Sequence, residues 1–99
     1  MISSKNGTFT LTGAQSDKIS EYKTSGKRVV LMITNLAAAG GNTVFVSVGS
    51  EAAANTGIQL LPGQNVTFSK DSGYMPSQDI VCAYCGAAQA IAIYEEIEG

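Results

Sequence analysis

The sequence predicts an all-β fold: a single antiparallel β-sandwich with Greek-key connections of the jelly-roll or immunoglobulin-like type. Three observations predict it. Short apolar runs at residues 29–35, 43–48, 57–61, 65–70, 80–84 and 90–95 recur along the chain, each of strand length rather than helix length. Gly, Pro, Asn or Asp stands between most of them, which is turn chemistry. Within several runs, bulky side chains alternate with a period of two, so each can bury one face.

Residues 1–7 are polar and end in Asn6-Gly7, a dipeptide of tight turns, so a turn is expected there. Residues 8–12 place Phe9 and Leu11 on one face and threonines on the other, the pattern of a half-buried strand. Residues 13–26 carry the weakest signal. Ile19 and Tyr22 could seed a helical turn, but polar residues dominate. A loop or an irregular strand is expected, and the stretch also suits an arm that orders on a partner. The organisation expected is one domain, with a polar segment over 1–27 holding one short strand and the main sandwich over 28–99.

Val29, Leu31 and Ile33 point one way, and Val30, Met32 and Thr34 the other. Both sets are largely apolar, which predicts a central strand covered on both faces. Residues 36–42 form a small-residue loop with adjacent glycines. Val44, Val46 and Val48 alternate with Phe45 and Ser47. Residues 50–54 read as a short helical turn, with Ser50 as cap, Glu51 at the positive end of the dipole, and Asn55 or Gly57 as its stop. Leu61-Pro62-Gly63-Gln64 is a turn, with Pro at its second position and Gly at its third. It leads into a strand with Val66 and Phe68 inward. Residues 71–77 suit a long crossover. Ile80, Cys82 and Tyr84 alternate with Val81 and Ala83, and Ile91 and Ile93 pack from the last strand before an acidic end. The expected core is Phe9, Leu31, Ile33, Val46, Leu60, Phe68, Ile80, Ile91 and Ile93.

The bulk numbers narrow the function classes. The chain has 99 residues, 44% hydrophobic and 14% charged, against about 25% charged for a typical domain. A sandwich this small is marginal alone, and poor charge cover favours further burial against other subunits. A formal net charge of −2 argues against a nucleic-acid groove, which needs clustered cations around phosphates. Lys23, Lys27 and Arg28 are the one local concentration, and such a trio is ordinarily a solvated turn. No apolar run approaches the ~20 residues of a membrane-spanning helix. The polar start lacks the apolar centre of a signal peptide. The expectation is a protein made in a cytoplasm and kept there or packaged into a particle.

The chemical equipment is thin. There is no histidine, so the usual base of a nucleophilic triad is missing. Cys82 and Cys85 have metal and redox spacing, but a structural zinc site needs about four ligands. Three positions apart on a straight strand, the two sulfurs face opposite ways, so both read as small buried hydrophobes. Asp71 with Asp79, or Glu95 with Glu96, could form a carboxylate pair, and Asp71 and Asp79 could hold calcium. Acidic residues at loops and chain ends are ordinarily solvated. No catalytic, cofactor or metal residue is assigned. Tyr74 stands apart, in a Gly73-Tyr74-Met75-Pro76 loop with no strand of its own to bury it. Its ordinary role is a lid on the sandwich; its sharper role is an interface anchor, since Tyr and Met are favoured there. The interface residues expected are Tyr22, Asp71, Tyr74, Met75 and Asp79.

The order Arg28-x-x-Leu31-x-Ile33-x-Asn35, Val44-x-Val46-x-Val48-Gly49, Gly57-x-x-Leu60-x-Pro62-Gly63, Ile80-x-x-Ala83 and Ile91-x-Ile93-x-Glu95 resembles small β-sandwich virion proteins of tailed phages. These are head decoration (cement) or surface-knob proteins. The resemblance spans roughly residues 28 to 95 and leaves the first 27 unmatched. It implies a non-enzymatic structural protein on the capsid surface, binding across major capsid protein subunits, often as a homotrimer, with no cofactor. The competing expectation is a ligand- or carbohydrate-binding sandwich, such as a tail-fibre or receptor-binding tip.

Overall fold

The structure is a computed structural model and describes residues 2–20, 27–69 and 81–98. They form eight strands: β1 Ile2–Leu11, β2 Gln15–Ser20, β3 Lys27–Asn35, β4 Val44–Val48, β5 Ile58–Leu60, β6 Asn65–Ser69, β7 Val81–Cys85 and β8 Gln89–Glu98. The chain pairs as if folded in half, β1 with β8, β2 with β7, β3 with β6 and β4 with β5, all antiparallel. Successive pairs alternate between two four-stranded sheets, of order β1-β8-β3-β6 and β2-β7-β4-β5. That is the jelly-roll arrangement of the two expected.

Inward residues from both sheets make one core. Leu11, Leu31, Ile33, Val44, Val46, Leu60, Phe68, Val81, Ala83, Cys85 and Ile91 are buried together, with Phe9, Ile19, Val66 and Ile93 packed partly against them. On β3, Val29, Leu31 and Ile33 are buried while Val30, Met32 and Thr34 are half-exposed. β3 therefore lies inside its sheet, but only one face is fully covered. The expectation of two covered faces fails because the outer apolar residues meet no second layer among the described residues.

Four local expectations are corrected. Asn6-Gly7 makes no turn: β1 runs through it, with Asn6 opposite Tyr94 and Gly7 opposite Ile93. Ten paired positions along β8 outweigh the preference of one dipeptide. The described part of the N-terminal segment is thus two strands built into the two sheets. Second, residues 50–54 are not helical. Ser50 shares a hydrogen bond with Ser47 (Oγ to Oγ 2.9 Å) instead of capping, and the Ala52 N–H donates to Ser16 Oγ on β2 at 2.9 Å. Ala52 is 5% exposed, so this loop is tied to the sheet instead of winding into a helical turn. Third, β7 presents Val81, Ala83 and Cys85 to the core rather than Cys82 and Tyr84. Both of its faces are apolar, so alternation alone could not choose between them. Expected core residue Ile80 lies outside the described residues, as does the crossover over 71–77. Fourth, Glu95 at the acidic end is not solvated but 6% exposed, in phase with Ile91 and Ile93 on β8. β2 realises the irregular-strand alternative, with a register shift between Lys18 and Ser20.

The predicted turn over 61–64 is present. The Gln64 N–H donates to Leu61 O at 2.9 Å, and Gly63 has φ 81°. Gly57 is more constrained: its φ is 73°, and a Cβ there would collide with the Val46 carbonyl oxygen. Gly57→Ala is expected to cost roughly 1–3 kcal/mol, read as a lower urea midpoint at constant m.

Candidate functional site

Two concavities meet at Gly7 on β1. One, of about 160 Å³, opens on the inward side and is lined by residues 6–9 with Ile19, Ile93 and Glu95. The other, of about 280 Å³, is a shallow groove on the outer face of the β1-β8-β3-β6 sheet, between Asn6 and Thr8 on one side and Met32, Thr34, Ala92 and Tyr94 on the other. Gly7 is in phase with Phe9 and opposite Ile93, so the inward concavity lies where position 7 brings no side chain, and a Cβ built there meets nothing within 4 Å.

The outer face follows from strand alternation. Asn6, Thr8 and Thr10 of β1 lie beside Ala90, Ala92 and Tyr94 of β8, then Thr34, Met32 and Val30 of β3, then Asn65 and Thr67 of β6. Small residues on central β8 keep the surface low and flat. Glu96 belongs to the same face, and the Tyr94 hydroxyl donates to its Oε2 at 2.6 Å. That hydrogen bond, with desolvation and the carboxylate's charge, raises the Tyr94 pKa above its ordinary 10.0. Because the folded value is raised, the pair adds stability below the ordinary tyrosine pKa and loses it as pH rises through the raised one. In an NMR titration the Tyr94 ring is expected to deprotonate at lower pH in Glu96→Ala than in the parent protein.

Glu95 and Glu96 cannot act as a pair. Neighbours on a strand face opposite ways, so Glu95 points into the sandwich while Glu96 sits outside. Asp17 is committed to the β1–β2 connection, where its carboxylate accepts the Thr12 N–H at 2.9 Å and the Thr12 hydroxyl. Among the described residues no group of three or more His, Cys, Asp or Glu could hold a metal ion. Cys82 and Cys85 are free and buried, and they lie on opposite faces of β7, as their spacing predicts. Cys85 belongs to the core. Cys82 is on the outer face yet only 6% exposed, and the loop carrying Ala52 crosses that face to reach β2.

The expected interface residues Tyr22, Asp71, Tyr74, Met75 and Asp79 all lie outside the described residues. The face around Gly7 was not singled out by sequence reasoning. Its signal was present in Ala90, Ala92 and Tyr94, which alternate with the core isoleucines. No protein-family model matches this chain, and no curated protein matches it in sequence. What the fold defines is the class, an eight-stranded jelly-roll sandwich.

Proposed function

We propose that the protein is a non-enzymatic structural protein of a virion, a decoration or cement protein on the head surface. It bridges neighbouring major capsid protein subunits and works as a homotrimer. The observation that carries this reading is the outer face of the β1-β8-β3-β6 sheet. Among its described side chains Glu96 is the one charge, already engaged by Tyr94. Interface centres are depleted in charge, and a flat face of Thr, Ala, Asn, Met and Tyr can dock without stranding ions. Fold analogy adds a weaker argument: jelly rolls build both capsid and lectin domains, and a fold does not by itself choose a function.

A carbohydrate-binding module is the second reading. The groove at Gly7 favours it, because Tyr94 offers a ring for stacking and Asn6 and Thr8 offer polar groups beside it.

The test is addition of purified protein to heads assembled from the major capsid protein of the encoding virus. The expected result is saturable density at subunit junctions and greater resistance of the shell to heat. Ala92→Lys, in the middle of the outer face, should abolish attachment while the sandwich stays folded. Bare heads, together with saturable binding of a soluble glycan by a monomer, would establish the second reading instead.

A further inference from the structure

The inward concavity of about 160 Å³ takes no part in either proposed function, and three features of it point to a ligand. The first is its apolar wall. Phe9, Ile19 and Ile93 line it and pack against the core, yet all three stay half-exposed. Phe9 and Ile93 come from one sheet and Ile19 from the other. An apolar group placed among them would be covered from two directions.

The second feature is Gly7. Glycine weakens a strand interior, and one use for it there is the close approach of a ligand. Gly7 is inward, in phase with Phe9 and opposite Ile93, and the register around it has no shift. It is not among the positive-φ glycines, so neither a turn nor a bulge requires it. A Cβ would meet nothing within 4 Å. The chain therefore leaves open a space that a side chain at position 7 would enter.

The third feature is Glu95. It lines the same concavity, is 6% exposed, and is the one ionisable side chain among the described lining residues. Lys5 holds the register position opposite it, and Glu95 has a partner within the chain. A carboxylate offers about four lone-pair sites, so a ligand can add a bond without displacing one. Away from bulk water that bond is stronger than on an open surface.

We propose that this concavity is a binding site for a small organic ammonium, a primary amine on a short apolar body. The body lies among Phe9, Ile19 and Ile93 in the space left by Gly7, and the ammonium donates to Glu95. An apolar cavity of about 150 Å³ holds benzene, so the body is one ring or its aliphatic equivalent. An anion would be repelled by Glu95, and a neutral ring would lack the charge-assisted hydrogen bond. The concavity is on the inward side, away from the outer face offered to capsid subunits, so the inference does not depend on the virion reading.

The test titrates benzylammonium into the full chain, with benzyl alcohol and benzoate as its neutral and anionic counterparts, and follows isoleucine methyl and backbone NMR signals. The expected result is saturable shifts at Ile19, Ile93 and the Gly7 amide, strongest for benzylammonium and weakest for benzoate. Glu95→Gln should weaken benzylammonium about tenfold, the worth of one charge-assisted bond, and leave benzyl alcohol unchanged. Gly7→Val puts a strand-favouring side chain into the space. It should abolish binding while the urea midpoint holds or rises. Should Glu95→Gln fail to fold, Gly7→Val and the order of the three probes on the wild type decide. The absence of saturable shifts would overturn the proposal, as would benzoate binding as well as benzylammonium. So would binding that ignores Gly7→Val, or shifts confined to the outer face.

Discussion

Asn35→Ala is expected to destabilise the protein by about 2–4 kcal/mol, because it strands one buried and two part-buried main-chain groups at once. Asn35 ends β3 and is 0% exposed. Its Nδ2 donates to Asn42 O and to Leu60 O, each at 2.9 Å, and its Oδ1 accepts the Ala37 N–H at 3.0 Å. Its main chain adds two more bonds, donating to Gln64 O at 2.9 Å and accepting the Gly63 N–H at 3.0 Å. One side chain therefore ties the loop after β3 and the β5–β6 turn to the end of the core. Alanine keeps the main-chain bonds but leaves the Leu60 and Asn42 carbonyls and the Ala37 amide without that partner. Against a total stability of about 5–15 kcal/mol the loss is large. Asn35→Asp should cost at least as much, since a carboxylate would face the two carbonyls that Nδ2 now satisfies. The measurement is the urea midpoint at constant m. A cost below about 1 kcal/mol would mean that water replaces the amide and that Asn35 is not a structural hub.

Ile33→Ala is expected to cost about 2–5 kcal/mol, the range for emptying a closed core site. Ile33 is fully buried on a strand flanked by both β8 and β6, so neighbours on either side are held by ladder bonds and cannot collapse into the space. Met32→Ala, one position along on the half-exposed outer face, should cost less than about 1 kcal/mol. The contrast between adjacent residues is the sharper readout. Equal losses at both positions would show that the outer face is also covered by a tightly packed layer.

Much of the fold was legible because it is local. The β-branched runs, the Pro62-Gly63 turn and the inward Val66 and Phe68 all follow from steric preferences within a few residues. The opposite facing of Cys82 and Cys85 follows from strand geometry alone. The candidate site was less legible. Its residues on β8 are the quiet half of an alternating pattern whose other half supplies the core, and Gly7 looked like a turn until its strand partner was known. Asn35 looked like the polar end of a strand. Nothing nearby in sequence revealed that it would be enclosed by groups from the loop after β3 and the β5–β6 turn.

By itself, then, the sequence determined that this chain makes short antiparallel strands around one small apolar core. Strand period, turn residues and composition are properties of neighbours. Only the tertiary structure decided which strands pair, which face of β7 turns inward, that Glu95 is buried and that residues 50–54 are tied to β2 rather than helical. The reason is range. β1 meets β8 across almost the whole chain, Ile2 opposite Glu98, and such pairings select among local conformations that differ in free energy by less than the pairing supplies.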